Sequence, residues 1–135
     1  MHHLSIGKIM GGYHSQMHFI RANDDIRSAA RKMLKLDVSA LPVIGDEADI
    51  VGLLTSRDIL NGYVSHDDVP LVLSVMNKDF VAVKKSDSIQ YVANIMGKLG
   101  VHHIIVEHNG LVCGIVSSYD FLRLYKEPEE TIETT

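Results

Sequence analysis

The chain has 135 residues, enough for one compact domain or for two small domains that share a core. Hydrophobic residues make up 46% and charged residues 22%, and no apolar stretch approaches the ~20 residues of a membrane span. The net charge of −4 argues against nucleic-acid binding, which requires clustered Lys and Arg. The single cysteine, Cys113, excludes an intramolecular disulfide framework. Because no signal peptide is visible, we expect a cytoplasmic protein without membrane contact.

The first half of the chain predicts two helices and a pair of strands. The first helix follows the capping pair Asn23-Asp24 and has an apolar face at helical spacing. That face consists of Ile26, Ala29, Ala30, Met33 and Leu34. Strands are predicted over Ala40 to Ile44 and Ile50 to Leu54, on either side of the turn Gly45-Asp46-Glu47. A closing helix begins at about Ser56.

The second half repeats this order of elements. Its first helix follows Ser86-Asp87, and the apolar face consists of Ile89, Val92, Ala93 and Met96. Strands are predicted over His103 to Val106 and Leu111 to Val116, and a helix from Ser118. With a short leading strand, each half is strand–helix–strand–strand–helix, which predicts an α+β fold.

The two halves align residue by residue, at an offset of 63 and then, after a turn, of 62. Aligned pairs include Ile26 with Ile89, Met33 with Met96, Gly52 with Gly114, and Asp58 with Asp120. Because about 55 residues with a three-stranded sheet cannot bury a full core alone, we expect the copies to pack sheet to sheet. The predicted boundaries are 1–64 for the first domain, 65–70 for a linker, 71–126 for the second domain and 127–135 for a disordered acidic tail.

One motif occurs at matched positions in both copies: Gly52-Leu53-Leu54-Thr55-Ser56-Arg57-Asp58, and the segment from Gly114 to Asp120. It places the end of a strand next to the start of a helix, where a hydroxyl caps the helix and free N–H groups favour an anion. An aspartate three residues later can accept hydrogen bonds from a ribose diol. The alternative is that both aspartates only cap their helices, and the residues alone leave this open.

The repeat resembles a tandem pair of cystathionine-β-synthase (CBS) domains, a Bateman module, here as a stand-alone protein. The resemblance lies in Val38 to Ile44 with Gly52 to Asp58, and in Val101 to Val106 with Gly114 to Asp120. It implies two domains related by a pseudo-twofold axis, with two clefts, of which one or both bind AMP, ADP, ATP or a related adenosine compound such as S-adenosylmethionine. It also implies a homodimer.

The resemblance assigns roles to individual residues. Asp58 and Asp120 correspond to the ribose-binding aspartate, and Thr55 and Ser117 to the neighbouring hydroxyl. The remaining predicted ligand-binding residues are Ser39, Ala40, Pro42 and Arg57 in the first copy, His102, His103 and Tyr119 in the second, and His18, Phe19, Phe80 and Val81 near the first strands. His102 and His103 point to opposite faces if they share a strand, so only one can face a given cleft. The copies differ at these positions, which predicts two inequivalent sites.

Other functions are weaker predictions. The chain has eight histidines, but they lack zinc-ligand spacing and we predict no metal site. No catalytic motif is present, so we predict that the protein is not an enzyme and needs no catalytic cofactor. The expected function is to sense energy state through an adenosine nucleotide and to relay it to a separately encoded effector protein. The alternatives are an S-adenosylmethionine-type sensor and a ligand-free dimerisation scaffold.

Overall fold

The structure is a computed structural model that describes residues 4–10 and 18–125. Contacts divide the chain into two compact units: Gln16–Ala82, called the first unit, and Met1–Ser15 with Val83–Thr135, called the second unit. These units differ from the division at residues 64 and 71 that the repeat suggests, because each repeat's leading segment packs with the other repeat's helices and strands. The predicted tail, 127–135, lies outside the described residues.

The first unit has the predicted order of elements, followed by one additional short helix. The elements are β1 (Ile20–Arg21), α1 (Ile26–Leu36), β2 (Ala40–Ile44), β3 (Ile50–Thr55), α2 (Ser56–Ser65) and α3 (Val72–Val75). The sheet has the order β1-β2-β3, in which β1 is parallel and β3 antiparallel to β2. The strand–helix–strand–strand–helix prediction is therefore confirmed for this unit.

The second unit repeats the same architecture. Its elements are a 3-10 turn (Ile6–Ile9), β4 (Ala82–Lys84), α4 (Ile89–Leu99), β5 (His103–His108), β6 (Leu111–Ser117), α5 (Ser118–Leu122) and a 3-10 turn (Arg123–Tyr125). The sheet has the order β4-β5-β6, and β5 and β6 are antiparallel. Within residues 4–10 and 18–125, no helix has the length and apolar character needed to cross a bilayer.

The first helix of each unit is capped one residue later than predicted. Asp25 and Ser88 are the N-caps, and each accepts a hydrogen bond from the backbone N–H three residues later, at 2.8 and 3.0 Å. The Ser28 N–H bonded to Asp25 holds the pKa of that carboxyl below its usual range. Asp24 and Asp87, the predicted caps, instead accept from N–H groups three residues earlier and close the turn between strand and helix.

The buried stripe of each helix is narrower than predicted. In α1, Ile26, Ala29 and Met33 are buried, whereas Leu34 is 82% exposed. In α4 only Val92 and Met96 are buried, and the prediction was wrong for Ala93, which is exposed. Each helix packs on a sheet whose leading strand is only two or three residues long, so residues at the margin of the stripe extend past the sheet.

Corresponding hydrogen bonds hold the leading segments in place. Val72 donates its N–H to the Asp24 carbonyl in the first unit, and Ile6 donates to the Asp87 carbonyl in the second, both at 2.7 Å. Both donors are fully buried. By the predicted boundaries Ile6 belongs to the first domain and Val72 to the second, so each leading segment completes the core of the unit that contains the other repeat's helix.

Candidate functional site

The junction between β3 and α2 forms a reciprocal cap in the first unit. The Thr55 hydroxyl accepts the Asp58 N–H at 3.2 Å and lies 3.0 Å from Asp58 Oδ2. The same carboxylate oxygen accepts the Thr55 N–H at 2.9 Å. This is a capping box, which satisfies two N–H groups at the helix start and fixes the carboxylate orientation.

The second oxygen of the Asp58 carboxylate remains available. Both hydrogen bonds use Oδ2, and no donor in the described part of the chain bonds Oδ1. The residue is half-buried. A carboxylate has about four lone-pair sites, so capping leaves acceptor capacity for a hydroxyl donor. Capping and ligand binding, alternatives in the sequence, are therefore compatible in the same side chain.

Gly52 allows a neighbouring segment to approach the edge of the sheet. A Cβ at this position would lie 2.6 Å from Met76 Sδ and 3.2 Å from the Asn77 carbonyl oxygen. Asn77 forms an isolated antiparallel bridge with Leu53, with hydrogen bonds of 2.9 Å in both directions. The glycine that opens the motif thus lets Met76 and Asn77 cover the edge strand beside Thr55.

Strand β2 supplies the neighbours of this junction. Ala40 pairs with Thr55 and Pro42 pairs with Leu53, so these residues share the sheet face opposite the one that carries Leu41, Val43 and Leu54 toward the helices. Ala40 and Pro42 are buried. Ser39 is exposed, and its carbonyl accepts the Ser56 N–H at 2.8 Å. The structure therefore brings Ala40 and Pro42 to the face that carries Thr55.

The ligand-binding residues predicted near the first strands lie just before those strands. His18 and Phe19 precede β1, and Phe80 and Val81 precede β4. Strand β1 pairs only with the last two residues of β2, Val43 and Ile44.

Phe19 is tied to helix α1. The Lys32 ammonium donates to the Phe19 carbonyl and lies 5.5 Å from the centre of its ring. Phe19 is 36% exposed, and His18, Phe80 and Val81 are half-buried. Lys32 therefore places a cation beside the predicted ligand-binding residue Phe19.

The second junction, between β6 and α5, has the same cap with an additional ion pair. Asp120 Oδ2 accepts the Ser117 N–H at 2.8 Å. Its Oδ1 is paired with the guanidinium of Arg123, which also lies 4.9 Å from the centre of the Tyr119 ring. Asp120 is 4% exposed and is the one buried charged residue within the described ranges. In this unit the protein itself engages both carboxylate oxygens.

The two adjacent histidines occupy different surroundings. His103 begins β5 and pairs with Ser117, so its side chain shares a sheet face with the cap. His102 precedes the strand, is exposed and lines a groove between α4 and α5. Of the two side chains, only that of His103 shares the sheet face of the Asp120 junction, although the His102 carbonyl accepts the Ser118 N–H there at 2.9 Å.

The groove beside His102 has a volume of about 830 Å³ and is mainly apolar. Its walls include Ile89, Ala93, Met96, Phe121 and Leu124. Leu124 aligns with Gly62, which in the first unit lies buried close to Ile26 and Val75. Helices that pack closely in the first unit are therefore separated by a groove in the second.

Sequence reasoning missed two cations near the predicted sites. Arg123 lies three residues after Asp120, a spacing at which helical side chains meet, so this ion pair had a sequence signal. Lys32 is 13 residues from Phe19, and nothing local in the sequence indicates that contact. Arg57, by contrast, is exposed on the first turn of α2. Within the described residues, no three His, Cys, Asp or Glu side chains are grouped closely enough to hold a metal ion.

Comparison with known proteins identifies both repeats. The sequence profile of the CBS domain matches residues 8–65 and 72–127. An uncharacterized protein of Methanocaldococcus jannaschii, MJ1225, is 26% identical over 106 residues, which make up 78% of this chain and 38% of that relative. Three relatives, from Methanocorpusculum labreanum, Methanococcus vannielii and Methanohalobium evestigatum, are named as homoserine O-acetyltransferases, and the chain spans 20%, 21% and 22% of their lengths.

Solved structures show the same fold. An uncharacterized conserved protein from Pyrococcus horikoshii has a TM-score of 0.82 at 22% identity, covering 95% of this chain and 96% of that one. The CBS domain pair of protein MJ0100, in complex with 5′-methylthioadenosine and S-adenosyl-L-methionine, has a TM-score of 0.76 at 23% identity. That match covers 90% of this chain and 95% of the MJ0100 chain. At these identities the likeness concerns the fold alone.

Proposed function

Since the chain belongs to the CBS domain family, we propose that it is a regulatory module that binds an adenosine nucleotide at the Thr55–Asp58 junction. The ligand is AMP, ADP or ATP, and the module senses energy state in the cytoplasm without catalysing a reaction. The observation that carries this proposal is the Asp58 carboxylate, which is oriented by its cap while its Oδ1 has no donor in the described chain.

The chemistry of the junction suits a ribose beside a phosphate. The cap holds Asp58 at the first turn of α2, so Oδ1 presents a preoriented acceptor to a diol. The helix start favours an anion, and Arg57 on the same turn adds a positive charge. Ala40 and Pro42 are buried, so the accessible apolar surface for a purine ring is the segment before β1, where Phe19 is 36% exposed.

The second candidate ligand is of the S-adenosylmethionine type. It is favoured by the MJ0100 domain pair, whose structure contains two such adenosine compounds. Both ligand classes carry the ribose diol that Asp58 would accept, and they differ in the group attached to the 5′ carbon. A phosphate would use Arg57 and the helix N-terminus, whereas a sulfonium would gain nothing from these positive groups.

Thermal melting with AMP, ADP, ATP, S-adenosylmethionine and GMP tests the proposal. A ligand at 100 times its dissociation constant stabilises the folded state by about 2.7 kcal/mol. We expect an adenosine nucleotide to raise the melting temperature and GMP to have a smaller effect. A shift with S-adenosylmethionine alone would select the second candidate. No shift with any adenosine compound would favour a ligand-free scaffold.

Asp58→Asn separates ligand binding from capping. Asparagine keeps an oxygen that can accept the Thr55 N–H, so the helix cap survives while the negative charge is lost. We expect AMP affinity to fall about tenfold or more, since hydrogen bonds to charged groups are worth about 1.5–3 kcal/mol. Glu47→Gln, a change of one charge at an exposed turn, is the matched control and should leave affinity unchanged.

The proposed relay requires partners. A second copy of the chain is one, and the exposed Leu122 and Tyr125 beside the apolar groove of the second unit support association through this face. A separately encoded effector protein is the other, because a nucleotide can shift a conformational equilibrium only through its differential affinity for two states. Light scattering of the protein with and without AMP measures the predicted dimer, and a monomer in both conditions would contradict it.

A further inference from the structure

We propose that Arg123 is a specificity-determining residue that occupies the Asp120 carboxylate and makes nucleotide binding at the second junction weaker than at Asp58. This inference rests on the proposed function, because it concerns the relative affinity of the two junctions for the same ligand class. It assigns a role to a residue that the repeat alone does not distinguish.

The Asp120 carboxylate has both oxygens engaged by protein groups. Oδ2 accepts the Ser117 N–H, and Oδ1 is paired with the Arg123 guanidinium. The aspartate side chain is 5% exposed and the arginine side chain 52% exposed. Arg123 also lies against the Tyr119 ring, which restricts its movement away from the carboxylate. A ribose diol would therefore meet an acceptor that already has a charged donor.

The first junction lacks this arrangement. At the offset of 62 that aligns Asp58 with Asp120, the residue corresponding to Arg123 is Asn61, and the residue corresponding to Tyr119 is Arg57. The positive charge thus precedes the aspartate in the first copy and follows it in the second. In the first copy, Asp58 Oδ1 has no donor in the described chain. Among the described residues, the aspartate of this motif therefore has a free Oδ1 in the first copy and an arginine partner in the second.

Ligand binding at Asp120 therefore includes a cost that binding at Asp58 lacks. A diol must displace Arg123 or share the carboxylate with it, and either weakens a charge-assisted hydrogen bond to a buried group. Since Arg123 is about half exposed, water compensates part of the loss. The expected difference in affinity between the two junctions is about tenfold.

Isothermal titration of AMP into the full chain tests this inference. In an Asp58→Asn background AMP binding at the first junction is weakened, and adding Arg123→Gln should tighten binding at the second junction about tenfold. A further Asp120→Asn substitution should abolish the gain. Lys98→Gln removes one exposed positive charge from the same unit and should have no effect. Unchanged or weaker binding with Arg123→Gln would overturn the inference, weaker binding indicating that Arg123 contacts the ligand itself.

A second variant, which adds an arginine to the first junction, tests the inference even if Arg123→Gln does not fold. Asn61→Arg, on the exposed side of α2, should install the same pair with Asp58 and weaken AMP binding at the first junction about tenfold. Unchanged affinity in a variant with the wild-type melting temperature would refute the inference. If AMP binds neither the wild-type protein nor any variant, the proposed function fails as well. If AMP binding depends on Asp58 but is unaffected by Arg123→Gln and by Asn61→Arg, the inference fails and the proposed function stands.

Discussion

Gly52→Ala is expected to destabilise the protein, because the segment that covers β3 leaves no room for a side chain. The added Cβ would lie 2.6 Å from Met76 Sδ, 3.0 Å from Met76 Cγ and 3.2 Å from the Asn77 carbonyl oxygen. Met76 can move, but the Asn77 backbone is hydrogen-bonded to Leu53 in both directions. Overpacking of this kind costs about 1–3 kcal/mol, which corresponds to a fall in melting temperature of about 3–10 °C for a chain of this size.

Gly97→Ala is the matched control, and it should raise the melting temperature. Gly97 lies inside α4, and a Cβ there would meet no other atom of the described residues within 4 Å apart from its own helix. Alanine at such a position stabilises a helix by about 0.5–1 kcal/mol. Differential scanning calorimetry of both variants measures the two shifts. If Gly52→Ala melts at or above the wild-type temperature, the close approach of Met76 and Asn77 to β3 is incorrect.

Three further predictions concern the second unit. Ser88→Ala removes the cap of α4 and should lower the free energy of unfolding in urea by about 1 kcal/mol, whereas an unchanged midpoint would contradict the assigned cap. Gly110→Ala places a side chain at φ 80° in the β5–β6 turn and should cost about 1–2 kcal/mol by the same assay, which a neutral result would refute. Burial raises the pKa of the Cys113 thiol, so less thiolate is present at neutral pH and iodoacetamide should react more slowly with folded than with unfolded protein. The rate should rise at a higher pH than in the unfolded chain, and equal rates at pH 7 would contradict this.

The order of elements could be predicted because the same pattern of helices and strands occurs in both copies of the repeat. Each strand that carries alternating or continuous apolar residues was identified to within a few residues, since hydrophobic patterning is a local property. Hydrophobic patterning could not predict that each leading segment packs in the unit that contains the other repeat's helix. Ile6 and Val72 lie in short apolar segments without helical or strand periodicity. The position of each segment in the sequence does not determine which helix it contacts.

The site could be predicted only as far as the motif reaches. The spacing of Thr55 and Asp58 predicts a cap, and the structure contains it. The state of each carboxylate depends instead on residues outside the motif, as Arg123 shows for Asp120. The contact between Lys32 and Phe19 requires α1 to pack beside the segment before β1. Local propensity and residue spacing do not predict such a contact between residues distant in sequence.

A crystal structure of the protein with AMP tests the central claim most directly. The ribose hydroxyls should lie within hydrogen-bonding distance of Asp58 Oδ1, about 2.5–3.0 Å, while Oδ2 still accepts the Thr55 N–H. Asp58 should be occupied at lower AMP concentrations than Asp120. AMP bound away from both aspartates, or a ribose that makes no contact with Asp58, would contradict the proposed function.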